Sequence, residues 1–121
     1  MKFLHTMLRV ADLDAALSFW CDQLGLVEIS RAENPAGRFT LVFLAAPDDE
    51  RRGRAEKSPL LELTWNWPDD GKIAEPYSIG RSFGHLAFLV DDVRDLRAVD
   101  GGRRRHQPAS ARRPHGLHPL A

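Results

Sequence analysis

Hydrophobic and polar side chains alternate between residues 2 and 10, the period of a half-buried strand. Thr6, Leu8 and Val10 fall on one face, and His5, Met7 and Arg9 on the other. The period then changes. In ADLDAALSFWCDQLG, Leu13, Ala16, Leu17, Trp20 and Leu24 recur at helical spacing. Asp12 can cap the start of this helix, and Gly25 suits the position just past its end. Residues 26–31 (LVEISR) predict a short strand, ENPAG a turn, and residues 38–46 (RFTLVFLAA) a strong strand. PDDERRGRAEKSP has no apolar period and is predicted as a polar, charged loop. Residues 60–66 (LLELTWN) predict another strand, with Glu62, Thr64 and Asn66 on one face and Leu61, Leu63 and Trp65 on the other. The order is β-α-β-β-β, an α+β fold class.

A second, partial copy of this unit follows. Residues 67–82 form an irregular connection rich in Pro, Gly and Asp. FGHLAFLV (83–90) predicts a strand, and DDVRDLRAV (91–99) a helix start with acids at its N-terminus. LHTMLRVADLDAAL and GHLAFLVDDVRDLR align His5 with His85 and Asp12 with Asp92, a weak similarity that stays in register. The expected organisation is a domain over 1–100, with its first βαβββ module at about 1–67 and a partial second module at about 83–100. Residues 101–121 have no apolar period and are expected to be an aberrant, disordered tail.

Charge and composition narrow the function. The formal net charge is zero, but five Arg and no acid lie in residues 101–121, which leaves 12 Lys and Arg against 17 Asp and Glu in residues 1–100. An acidic body excludes a nucleic-acid footprint there, and RRR in the tail is a weak signal. His106, His115 and His118 are separated by Pro and Arg, which favours disorder over a metal tract. No apolar run is long enough to cross a bilayer and no signal-peptide pattern precedes the first strand, so no membrane partner is expected. The single cysteine, Cys21, excludes an intrachain disulfide and fits a cytoplasmic location.

The candidate chemistry lies on the strand faces. Arg9 follows His5 by four positions, and Asn66 follows Glu62 by four, about 13 Å along one face. If the two strands are neighbours, one end offers an imidazole and a carboxylate, suited to a divalent metal. The other end offers a guanidinium fork and an amide, suited to a carboxylate-bearing ligand. His85 could be a third metal ligand. From the pattern alone, other readings stay open: a packed or surface histidine, a glutamate on the solvent face of the sheet, and a solvated edge arginine.

LHTMLRVADLDAALSFWCDQLGL, ENPAGRFTLVFLA, LLELTWNW and GRSFGHLAFLVDDV closely resemble lactoylglutathione lyase (glyoxalase I) of the vicinal-oxygen-chelate superfamily, over residues 1–98. The resemblance implies a glyoxalase-like βαβββ module followed by an incomplete second one. It also implies a homodimer with its active site at the subunit interface and the hemithioacetal of methylglyoxal and glutathione as substrate. That substrate is isomerised to S-lactoylglutathione by enediolate proton transfer, which makes the chain a carbon-sulfur lyase of methylglyoxal detoxification. His5 and Glu62 match metal ligands from one subunit, and His85 a ligand from the other. Glu62 also matches a catalytic carboxylate. Arg9, Asn66 and Arg81 match residues that hold glutathione, and Leu41 and Phe43 match pocket-wall positions. The short form of the family favours nickel, with cobalt or zinc as alternatives.

The sequence departs from the family in the second module, where the last strands, the fourth metal ligand and the main base have no counterpart. In the family that base is a glutamate in a DGxxxEL-like stretch. Residues 104–121 can be back-translated so that a one-base shift reads VVTNRPARDGRMAFIRSP, which resembles the family's approach to that glutamate. The tail is therefore expected to be a frame-shifted, truncated C-terminus, and lyase activity is expected to be weak or absent. The alternative is a small-molecule or glutathione-binding superfamily member, metal-free or metal-binding, without lyase activity. Ring-cleaving dioxygenase and antibiotic thiol-transferase activities are disfavoured by Glu62, Arg9, Asn66 and Arg81.

Overall fold

The alternation in LLELTWN sets the centre of the molecule. In the computed structural model, which describes residues 1–69, 77–78, 80–94, 99–100 and 103–104, Leu61 and Leu63 are 6% and 0% exposed. They belong to β4 (Leu60–Asn66), an inner strand of a four-stranded sheet ordered β1-β4-β3-β2. β1 (His5–Val10) runs parallel to β4, whereas β3 (Phe39–Ala45) is antiparallel to both β4 and β2 (Val27–Asn34). β4 spans the expected residues and β3 falls one residue short at each end, whereas β1 starts three residues later than expected and β2 runs three residues further.

A parallel β1–β4 pair requires a crossover, and the intervening chain covers one sheet face. α1 (Leu13–Leu17) starts at Asp12, whose carboxylate accepts the Ala15 N–H at 3.0 Å. The helix widens to π turns over Ser18–Gln23, and Leu24 N–H reaches the Phe19 carbonyl. Gly25 closes it at φ 84°, a left-handed backbone that glycine adopts without steric penalty. Leu13 is buried, and Ala16, Leu17, Trp20 and Leu24 pack around Val42, Leu44, Leu61 and Leu63 as the helical spacing predicts. Burying a Leu or Val side chain contributes roughly 1.5–3 kcal/mol. The exposed pairs Arg31–Glu28 and Arg54–Glu50 contribute about 0–1 kcal/mol each, so apolar burial holds the sheet. The ENPAG turn forms as expected, with the Asn34 side chain accepting the Gly37 N–H at 2.7 Å.

Two expectations are corrected. The segment after β3 is not a loop: Pro47–Asp49 form a 3₁₀ turn leading into α2 (Glu50–Glu56). Its single buried residue is Gly53, and a Cβ there would lie 2.9 Å from Leu60 Cδ2 and 3.4 Å from Ala45 Cβ. The helix docks through bare backbone, so it carries no apolar stripe. Pro47 and the acids Asp48, Asp49 and Glu50 were its signals.

The second correction is residues 83–90, which form no strand. They pair with none of the described strands. Leu86 packs against the core instead, and the Phe88 ring lies 6.4 Å from Trp20. Of the helix expected over 91–99, Val93 and Arg94 are helical, with Asp92 accepting the Arg94 N–H at 2.9 Å as a cap. Residues 95–98 lie outside the described residues. Val99–Asp100 (β5) instead pair antiparallel with Arg103–Arg104 (β6). The tail expectation lies outside the described residues apart from 103–104.

Candidate functional site

Parallel pairing sets Met7 beside Glu62 and Arg9 beside Thr64. β3 adds Phe43 opposite Glu62 and Leu41 opposite Thr64. Alternation therefore puts His5, Met7 and Arg9 on one sheet face with Glu62, Thr64, Asn66, Leu41 and Phe43. The opposite face carries the buried leucines under α1. α2 lies against the first face at its Leu60 and Ala45 end.

Side chains on this face meet in two diagonal pairs. His5 Nε2 lies 3.7 Å from Glu62 Oε1, and Arg9 Nε donates to Asn66 Oδ1 at 2.9 Å. The His5 ring meets Phe43 edge-on, with centroids 5.3 Å apart and planes at 78°. The Glu62 side chain is 13% exposed and that of His5 35%, so the pair is shielded yet reachable. Thr64 Oγ1 donates to Glu62 Oε2 at 3.2 Å. Just past β4, Trp67 Nε1 donates to Thr40 Oγ1 at 2.8 Å, and Arg38 donates to the Pro68 carbonyl at 2.8 Å. These bonds fix where the chain leaves the sheet.

Six of the sequence-predicted residues share this face: His5, Glu62, Arg9, Asn66, Leu41 and Phe43. Arg81 and His85 do not join them. Both are exposed, and neither hydrogen-bonds or ion-pairs with the others. Among the described residues no three His, Cys, Asp or Glu side chains converge on one point. Thr64 was visible in the sequence only as a polar face position, and its bond to Glu62 depends on a rotamer that the pattern does not encode.

The His5–Glu62 pair fits a divalent ion. Two ligands at about 2.1 Å from one ion sit roughly 3.0–3.4 Å apart, so 3.7 Å needs a shift of a few tenths of an ångström. A neutral imidazole and a carboxylate suit nickel, cobalt and zinc alike. Two ligands are half a coordination set. Arg9 and Asn66 form a donor-rich end: with Nε engaged, both terminal guanidinium nitrogens and the amide Nδ2 remain to meet a carboxylate.

Fold and stripe together define the class, a βαβββ module of the vicinal-oxygen-chelate type. The chain belongs to the Glyoxalase/Bleomycin resistance protein/Dioxygenase superfamily, whose sequence profile matches residues 2–99. It is 40% identical over 93 residues to a probable lactoylglutathione lyase of Synechocystis, covering 77% of this chain and 63% of that protein. It is 41% identical over 93 residues to the lactoylglutathione lyase of Haemophilus influenzae, covering 77% and 61%. The trypanothione-dependent glyoxalase I of Leishmania major superposes with a TM-score of 0.64 at 35% identity, covering 81% of this chain and 63% of that one. The chain thus spans a little over three-fifths of the length of these relatives.

Proposed function

We propose that this chain carries the metal and substrate residues of a lactoylglutathione lyase acting on the methylglyoxal–glutathione hemithioacetal. The observation that carries the reading is the pair of diagonal contacts on one sheet face, His5 with Glu62 and Arg9 with Asn66. The lyase names of the relatives support it. His5 and Glu62 hold a divalent ion, nickel first, with cobalt or zinc accepted by the same donors. His85 of a second copy adds a third ligand, so the active unit is a homodimer. When bound, the ion supplies Lewis-acid stabilisation of negative charge on the substrate oxygens.

This chain's residues do the rest. Arg9 and Asn66, with Arg81, bind the carboxylates and backbone of the glutathione moiety and so fix the reacting carbons. Leu41 and Phe43 form an apolar wall beside the methyl group and exclude water. Glu62 is the carboxylate placed to take a proton from one carbon and return it to the next.

The second reading, a small-molecule or glutathione binder without lyase activity, rests on the Arg9–Asn66 end of the face alone. Both are tested together. The protein is mixed with nickel, cobalt or zinc, then with methylglyoxal and glutathione, and thioester formation is followed. Metal-dependent thioester formation above the uncatalysed rate supports the lyase. Calorimetric binding of S-methylglutathione with no thioester formation under any metal supports the binder.

A further inference from the structure

We propose that Thr64 is a positioning residue that holds the Glu62 carboxylate for the metal, an inference that rests on the assignment of His5 and Glu62 as ligands. Thr64 stands two residues after Glu62 on the same face of β4. Its hydroxyl donates to Glu62 Oε2 at 3.2 Å. The other oxygen, Oε1, is the one 3.7 Å from His5 Nε2. The two oxygens therefore have different partners: one is tethered within the strand, and the other faces the imidazole.

The tether is stiff. Thr64 is 6% exposed and sits in register between Arg9 of β1 and Leu41 of β3. A β-branched side chain has few χ1 choices, and these neighbours shield it from solvent. The hydroxyl has the neighbouring carboxylate as its hydrogen-bond acceptor. A glutamate side chain without such a tether samples several rotamers, and fixing them is an entropic loss at the moment of metal binding. With Thr64 in place, that ordering is built into the strand before an ion arrives. Thr64 touches neither ion nor substrate in this account and acts only through Glu62.

The test is nickel binding to the full metal-free chain by calorimetry, together with its thermal melting. Thr64→Val keeps the shape and removes the donor. Thr64→Ser keeps the donor, and Thr64→Ala lacks it at nearly the size of serine. The expected result is an affinity loss of about 10- to 100-fold for Thr64→Val and Thr64→Ala, with Thr64→Ser within about threefold of wild type. If Thr64→Val fails to fold, the Ser and Ala pair still isolates the hydroxyl. A purely structural threonine would lower melting in Thr64→Ala without separating it from Thr64→Ser in nickel affinity, which overturns the proposal. Should Glu62→Gln weaken nickel binding while Thr64→Val does not, the role of Thr64 falls and the ligand assignment stands. Should Glu62→Gln leave nickel binding unchanged, the ligand assignment fails and takes the proposal with it.

Discussion

Arg9 stands to Asn66 as His5 stands to Glu62. Each β1 side chain reaches diagonally across the parallel β1–β4 ladder to a side chain two positions beyond its own register partner. The Arg9 Nε–Asn66 Oδ1 bond is 2.9 Å, and it turns a mobile arginine into a fixed fork.

Arg9→Lys keeps the charge and loses the fork. We expect KM for the hemithioacetal to rise about tenfold with kcat little changed, because the lost contact is made equally before and during reaction. On a chain too slow for steady-state kinetics, the Kd for S-methylglutathione serves instead. An unchanged value would remove Arg9 from the substrate site.

Two disabled variants should repair each other. If each metal site takes His5 from one subunit and His85 from the other, a mixed dimer of His5→Ala and His85→Ala retains one intact site. Reassembled equimolar mixtures should bind nickel tightly at about a quarter of the wild-type sites, while neither variant does so alone. Mixing without recovery would sink the shared site.

Gly53 sets how closely α2 approaches the sheet. Gly53→Val should destabilise the fold by about 2 kcal/mol, since its side chain must displace Leu60 and Ala45. Gly53→Ala should stay within about 1 kcal/mol of wild type, because better helix propensity offsets a contact with the movable end of Leu60. Urea unfolding measures both, and equal values for the two variants would refute the close-docking account.

Burial, followed by the carboxylates of Glu28 and Asp22, pushes the Cys21 thiol up, with Arg31 offsetting part of it. The folded state holds this proton more tightly than the unfolded one. Stability from this group is therefore full below the ordinary thiol range and declines as pH rises through it. At pH near 8, iodoacetamide should alkylate Cys21 more slowly than an exposed cysteine, because less of it is thiolate. Alkylation at the rate of a small free thiol would contradict this.

Much of the fold could be read from the sequence because burial follows period. Leu61 and Leu63 against Glu62, and Leu13 to Leu24 at helical steps, state which face turns inward. The same alternation put His5, Arg9, Glu62 and Asn66 on one surface, and the parallel register then brought them into contact. α2 escaped because Gly53 docks through its backbone and leaves no apolar trace. The strand expected over 83–90 failed for a different reason. Its pattern is that of a strand, but a ladder needs a partner, and among the described residues the segment pairs with none and packs Leu86 on the core instead. Thr64 escaped because hydrogen bonds between i and i+2 on a strand are a matter of rotamer, not of spacing.

Because strand faces interchange with every single-residue step, sliding β1 by one position along β4 would bury His5 and Arg9 under the helix and turn Leu8 and Val10 outward. A mispaired chain would thus be both inert and sticky. Any folding error that silences the chemistry also advertises itself as exposed oil, to chaperone and protease alike.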